Sequence, residues 1–249
     1  MNIFIDGYGV VAHSILRKLV ENHNISSDKI FVNTYFKSEN QLFLDYLKEN
    51  NINHADQSYR SIFNELSGFS PDLFFTLYGR RIIPPNVLSK VKLKSVNLHP
   101  SLLPEYKGCF SCPWVILNRE NKTGITFHEI VEEVDSGDIL FQHEIKLNGD
   151  ETAYSLYHIL ASEFIQKFDD FFLDLLNSDL TPKKMLRGGN YYPRKVPYDG
   201  LIDVSWSPVR IESFIRAMYF PPFKGAILNH QGREMEIENF EQYHKLIST

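Results

Sequence analysis

Cysteine is scarce in this chain. The two present, Cys109 and Cys112, cannot build a disulfide framework and point to a reducing compartment. A basic excess is also missing: 26 Lys and Arg stand against 31 Asp and Glu, a net charge of −5. No general attraction to nucleic acid or to an anionic membrane follows. The amino terminus, Met-Asn-Ile-Phe-Ile-Asp-Gly-Tyr-Gly, lacks the positive segment and long apolar stretch of a signal peptide. No apolar run approaches the ~20 residues that a membrane span needs, so a cytoplasmic protein is expected. Internal repeats, low-complexity segments and long linkers are absent too. What is present is an ordinary globular balance, 43% apolar and 23% charged, over a length that suits one large domain or a domain with an appendage. Aromatic residues are plentiful, with 19 Phe and 13 Tyr, and supply rings for a core and for flat surfaces against a ring-bearing ligand.

The first third alternates short apolar runs with helical spacing. Strands are expected at Asn2–Ile5, Ile30–Val32, Leu73–Leu77 and Lys94–Leu98. Between them, Val11, Ile15, Leu16 and Leu19 recur at helical spacing, as do Leu42, Phe43 and Leu47. Such alternation implies βαβ units with right-handed crossovers. Thr123–Val131 and Ile139–Ile145 read as further strands. A long amphipathic helix then carries Ala153, Leu156, Leu160, Phe164, Phe168, Phe171 and Leu175, with Asp150 and Thr152 as caps. After Arg187-Gly188-Gly189-Asn190 comes a tail with a helix opened by Ser207-Pro208. It ends in a hairpin joining 226–228 to 234–237 through His230-Gln231-Gly232. The expected fold is α/β: a Rossmann-like, mostly parallel sheet with flanking helices over residues 1–188, and a small α+β extension over 189–249.

Three motifs carry candidate chemistry. Gly7-Tyr8-Gly9-Val10-Val11-Ala12 fits G-x-G-x-x-A between a strand and a helix. The second strand ends Val32-Asn33-Thr34, without the acidic residue that grips a ribose, so a tight turn is the better reading. Cys109-Phe110-Ser111-Cys112-Pro113 lacks the second cysteine pair of a zinc site; His99 and His128, on separate strands, are poor substitutes. The cysteine pair is read as loop packing, with no metal. The third motif is the stretch from Asn97 to Gly108. Asn97 and His99 sit one residue apart on a strand and share a face, at the carboxyl end where open α/β sheets hold ligands. Val134-Asp135-Ser136-Gly137-Asp138 offers a carboxylate in a later turn. Brought together, amide, imidazole and carboxylate suit acyl transfer to an amine. The imidazole takes a proton, the amide N–H faces an oxyanion, and the carboxylate orients the imidazole.

Asn97-x-His99, the Ser101-Leu102-Leu103-Pro104 run and Asp135-x-Gly137 resemble the catalytic core of the 10-formyltetrahydrofolate-dependent formyltransferases. The likeness is closest over residues 70–157. Within that superfamily the nearest resemblance is to sugar N-formyltransferases acting on dTDP-linked amino-dideoxysugars. It is carried by residues 97–113, Gly124-Ile125-Thr126-Phe127-His128 and Ile215-Arg216-Ala217. Transfer-RNA formyltransferases carry a basic carboxy-terminal domain, whereas this tail holds seven cationic and seven acidic residues from Asn190 onward. That balance suits a polyanion poorly. Formyl transfer to another amine, methionyl-tRNA included, and a non-catalytic folate- or nucleotide-binding module are the alternatives.

The resemblance implies roles for individual residues. Asn97, His99 and Asp135 would be catalytic. The pterin of 10-formyltetrahydrofolate, the formyl donor, would lie between Arg81-Ile82-Ile83 and a second wall containing Val131, Val134 and Asp135. The sugar nucleotide would meet Tyr78, Arg80, Glu105, Lys107, Gly108, Tyr219 and Phe220. The implied acceptor is a dTDP-linked 4-amino-4,6-dideoxy sugar destined for surface polysaccharide such as O-antigen. The implied assembly is a homodimer built partly through the tail.

Overall fold

The computed structural model describes residues 1–65, 69–79, 81–185 and 188–248. In chain order the elements are β1 (Ile3–Gly7), α1 (Gly9–Glu21), β2 (Ile30–Asn33), α2 (Gln41–Glu49), β3 (Asn53–Ala55), α3 (Tyr59–Glu65), β4 (Leu73–Leu77), α4 (Pro85–Leu88), β5 (Lys94–His99) and β6 (Lys107–Gly108). There follow α5 (Ser111–Leu117), β7 (Lys122–Glu129), β8 (Ile139–Lys146), α6 (Ala153–Asn177), β9 (Tyr191–Tyr192), α7 (Pro208–Met218), β10 (Ala226–His230), β11 (Arg233–Ile237) and α8 (Phe240–Ile247). Seven strands form the main sheet in the order β3-β2-β1-β4-β5-β7-β8. The pairs from β3 to β5 are parallel, and β5 meets β7 antiparallel. The mostly parallel sheet read from the sequence is therefore present, with helices supplying its cover.

The chain divides into two compact units. The first comprises residues 1–99, 126–142 and 161–186. On one face of its sheet Phe75 and Phe127 pack against Phe168 and Phe171, and Phe127 stacks on Phe171 at 4.3 Å between ring centroids. On the other face Phe31, Phe4 and Phe74 stand in one register row and are buried with Tyr59, Ile62, Ile83 and Val87. Burying this many rings provides the bulk of the apolar driving force that a parallel sheet needs on both faces. Gly7 has a packing reason: a Cβ there would come within 2.7 Å of Ala12 Cβ. The Gly9 N–H donates to Asn40 Oδ1 at 3.1 Å.

The second unit comprises residues 100–125, 143–160 and 187–249. Trp114 stacks on Tyr192 at 4.4 Å, and Tyr192 on Tyr106 at 5.6 Å. Trp206 packs edge-on against Phe214. Ser207 caps α7 by accepting from the Arg210 N–H, and Thr152 does the same for α6 from Ser155. The β10–β11 turn places Gln231 and Gly232 at positive φ, the backbone that a two-residue hairpin loop demands. One expectation is corrected here. The cysteine pair lies only half within a loop: Cys109 precedes α5, but Cys112 is in its first turn, because a first turn tolerates Pro113 and Trp114, Val115 and Ile116 continue an apolar helix. Neither cysteine is in a disulfide, and burial pushes the Cys112 thiol up to about 12. Among the described residues no helix is long and apolar enough to cross a membrane.

Candidate active site

The row of aromatic residues on the α3 side of the sheet has a polar counterpart two residues further along each strand. Asn33 pairs in register with Asp6, Asp6 with Thr76, Thr76 with Asn97, and Asn97 with His128. Register partners project to the same face, so five polar side chains cross five strands in one line. Asp6, Asn33, Thr76 and His128 are buried. Polar groups buried in such a row need partners, and two clusters supply most of them; Asp6 Oδ2 alone in the row has no hydrogen-bond partner among the described residues.

The first cluster is Thr76, Asn97, His99, His128 and Asp135. Asp135 Oδ1 accepts from Asn97 Nδ2 at 3.2 Å. A carboxylate only accepts, so the amide nitrogen must face it and Asn97 Oδ1 must point the other way. There the Thr76 hydroxyl donates to Asn97 Oδ1. Asn97 Nδ2 also lies 2.9 Å from His128 Nε2, while His128 Nδ1 is 2.8 Å from the Glu129 carbonyl. The carbonyl accepts, so the proton of a neutral His128 sits on Nδ1 and Nε2 accepts from Asn97. The second carboxylate oxygen, Asp135 Oδ2, stands 3.3 Å from His99 Nδ1. The Asn97, His99 and Asp135 side chains are thus brought together: spacing put the first two on one face, and the resemblance implied the third. Asp135 holds φ 50°, a left-handed conformation that Asp tolerates better than most residues. Close packing behind it is required, for a Cβ on Gly137 would run into the Glu129 backbone. Thr76 and His128 had no assigned role in the sequence reading. Their signal was the polar last inward residue of each strand, after Phe74 and Thr126 respectively.

The second cluster surrounds Asp6. Asn33 Nδ2 donates to Asp6 Oδ1 at 3.1 Å, as does Arg81 Nη1. Arg81 Nη2 donates to Asp56 Oδ1 at 2.6 Å, and its guanidinium lies 4.3 Å from the Tyr35 ring centroid. Burial raises the Asp6 carboxyl above the ordinary carboxylate range, against the lowering pull of Tyr59 and Arg81.

The residues expected at the donor site separate into kinds. Ile82 is 78% exposed, Val131 41% and Val134 39%, and these three present apolar surface. Ile83 is buried in the aromatic cluster, and Arg81 is engaged by Asp6 and Asp56. A flat polar heterocycle needs apolar walls with few polar anchors, and the exposed branched side chains that follow β4 and β7 fit that need. Among the residues expected at the sugar nucleotide, Tyr78 stands at the end of β4 with φ 58°; Arg80 lies outside the described residues. In the second unit, β6 pairs Lys107 and Gly108 with Tyr191 and Tyr192, and the Glu105 carbonyl accepts from Ser101 Oγ at 2.7 Å. Tyr219 lines a cavity of about 300 Å³ with Thr152, Ile215, Arg216 and Phe240. Phe220 packs edge-on against Tyr154 and Tyr157. Among the described residues no group of three or more His, Cys, Asp or Glu is arranged to hold a metal ion.

Residues 9–168 match the family model described as formyl transferase. A GDP-perosamine N-formyltransferase of Brucella melitensis is 34% identical over 248 residues, 98% of this chain and 95% of that protein. An N-formyltransferase from Helicobacter canadensis, solved with folinic acid and dTDP-3-aminofucose, superimposes with a TM-score of 0.75 at 25% identity. The match covers 96% of this chain and 87% of that one. A 4-N formyltransferase from Francisella tularensis has a TM-score of 0.77 at 24% identity, over 95% of this chain and 96% of that one. The polar row, with the cluster of Asn97, His99 and Asp135 at one end of it, accordingly has its family: the chain belongs to the formyl transferases.

Proposed function

We propose that this protein transfers a formyl group from 10-formyltetrahydrofolate to the amino group of a nucleotide-linked sugar. The observation that carries the reading is the meeting of Asn97 and His99, at the carboxyl end of β5, with Asp135 from the turn that follows β7. The donor supplies an activated formyl carbonyl. His99, with Nδ1 turned to Asp135, takes the amine's proton on Nε2 as the C–N bond forms. Asp135 stabilises the resulting imidazolium, which returns the proton to N10 of the donor as the formyl C–N10 bond breaks and tetrahydrofolate leaves. Asn97 Nδ2 donates to the developing oxyanion in place of its 3.2 Å contact to Asp135. Thr76 and His128 keep that amide from rotating. Ile82, Val131 and Val134 form the apolar walls for the pterin.

Our reading of the acceptor is a dTDP-linked 4-amino-4,6-dideoxy sugar, giving a formamido sugar for surface polysaccharide in the cytoplasm. Tyr78, Arg80, Glu105, Lys107, Gly108, Tyr219 and Phe220 would contact it. The complex named for the Helicobacter canadensis enzyme supports the dTDP nucleotide. The Brucella melitensis relative, by its name, favours GDP as a second reading. Residues 1–188 would be the catalytic part, and 189–249 would serve substrate binding and a homodimer; the exposed Tyr191, Val204 and Phe223 support the latter. Light scattering at micromolar concentration tests the dimer, and a monomer there refutes it. The function is tested by incubating the protein with 10-formyltetrahydrofolate and a panel of dTDP-, GDP- and UDP-amino sugars. A formyl-sized mass gain on a dTDP-4-amino sugar is the expected result; gain on GDP-amino sugars alone replaces the nucleotide, and no gain on any sugar refutes the reading.

A further inference from the structure

Asp6 is a costly residue where it stands. It is fully buried, at the end of an otherwise apolar β1, and a buried ion pair returns little net stability. An apolar residue of similar size would suit the core better. Its partners explain its presence more directly. Asn33 ends β2, Asp56 follows β3 and Tyr59 opens α3. All three, with Asp6, converge on Arg81 or on the carboxylate that Arg81 binds. The chain after β4 folds down on the same carboxylate, for a Cβ on Gly79 would come within 2.6 Å of Asp6 Oδ2. Arg81 is therefore held from two sides, with its guanidinium over the Tyr35 ring. Its neighbours in the chain are Ile82, which is exposed, and Ile83, which is pinned in the core. A cavity of about 480 Å³ opens beside Asp56, Tyr59, Arg60, Arg81 and Ile82.

We propose that Asp6 is a positioning residue for the formyl donor: through the Arg81 guanidinium it fixes the turn after β4 that presents Ile82. Asp6 touches no reacting atom. Its polar neighbour in the row, Thr76, serves the catalytic amide, so one line of side chains sets both the chemistry and the donor wall. The proposal rests on the reading of Ile82 as a donor contact, and the test separates the two.

The experiment is steady-state kinetics on the full chain, with 10-formyltetrahydrofolate varied at saturating amino sugar nucleotide. Ile82→Gln first tests the wall itself. Asp6→Asn, Arg81→Gln and the double variant then test the clamp. Losing one charged hydrogen bond of ordinary strength amounts to about ten-fold or more in affinity. Asp6→Asn and Arg81→Gln should each raise the KM for the donor about that much, with kcat within about two-fold. The double variant should be no worse than Arg81→Gln alone, because both changes break one connection. Circular dichroism confirms that each variant is folded. Arg81→Gln, at the partly exposed end of the pair, keeps the test available if Asp6→Asn does not fold. An unchanged donor KM in the Asp6 or Arg81 variants, while Ile82→Gln raises it, overturns the proposal and leaves the donor wall standing. Additive effects in the double variant overturn it as well. An unchanged KM in Ile82→Gln overturns the donor wall and the proposal together.

Discussion

Thr76→Val removes one hydroxyl from the site and almost nothing else. Both residues are β-branched and suit a buried strand, and Thr76 is buried in β4. The lost group is the donor to Asn97 Oδ1. An acceptor left unsatisfied inside a protein costs ~1–3 kcal/mol, and in a chain of this size each kcal/mol moves Tm by ~2–4 °C. A fall of a few degrees in Tm is therefore expected. The kinetic effect is separate. Asn97 still faces Asp135 and His128 through Nδ2, so its amide keeps its average orientation but rocks about it. We expect kcat to fall ~10-fold, equivalent to ~1.4 kcal/mol of transition-state stabilisation, with the KM of both substrates nearly unchanged. Thr76→Ser keeps the hydroxyl and should restore most of kcat. The assay is formyl transfer followed by product mass, alongside thermal melting. A Thr76→Val enzyme with a lowered Tm and full kcat would refute the argument, because the hydroxyl would then serve only the fold. Equal loss in Thr76→Ser would assign the effect to the missing methyl.

Three further outcomes follow from the same geometry. His99→Asn should lower kcat by ~100-fold or more while calorimetry shows nearly normal sugar-nucleotide binding; retention of more than about a tenth of wild-type turnover removes His99 from proton transfer. Asp135→Asn keeps the shape but leaves a protonated His99 without its counter-charge, so turnover should fall and the acidic limb of the pH–rate profile should move. An unchanged profile would make Asp135 a turn residue. Asp6→Asn should also change how stability depends on pH. Burial holds the folded carboxyl pKa above that of the unfolded chain, so the proton is bound more tightly in the native state. That contribution is present below about pH 4 and is lost as pH rises through the raised folded value. Asn cannot lose it. The variant's stability relative to wild type should therefore improve from acid to neutral pH, and denaturant melts at the two extremes that show no such trend would contradict the assignment.

Much of the fold was legible because apolar periodicity reports it directly. Leu73–Leu77 and the α6 stripe of Phe164, Phe168 and Phe171 read as they fold. The short β3 and α8 were missed: three residues, Asn53 to Ala55, give no alternation to count, and Phe240–Ile247 has a single buried apolar position, Tyr243. In the site, Asn97 and His99 were placed on one face by spacing alone, since strand geometry fixes that relation without tertiary knowledge. The convergence of Asp135 on them came from resemblance, because no local rule folds the turn after β7 back over β5. The clamp on Arg81 lay beyond the sequence for a related reason. Asp6, Asn33 and Asp56 are distant in the chain, and only the register of β2 with β1 and β3 sets them beside one another. Each strand did carry a clue. Phe31-x-Asn33, Phe4-x-Asp6 and Phe74-x-Thr76 all turn from ring to polar at the same end of the sheet, and a buried polar end repeated on three neighbouring strands marks a site.

The most direct test of the whole account is a two-part measurement on one reaction mixture. Purified protein, 10-formyltetrahydrofolate and a dTDP- or GDP-linked 4-amino sugar are combined, and the sugar nucleotide is followed by mass spectrometry. The wild-type chain should convert the amino sugar to its formamide, while Asn97→Ala, which removes the amide held by Thr76 and His128, should turn over ~100–1000-fold more slowly with an unchanged KM for the donor. Formylation that proceeds at the wild-type rate without the Asn97 amide, or a wild-type chain that formylates none of these sugars, would contradict the account.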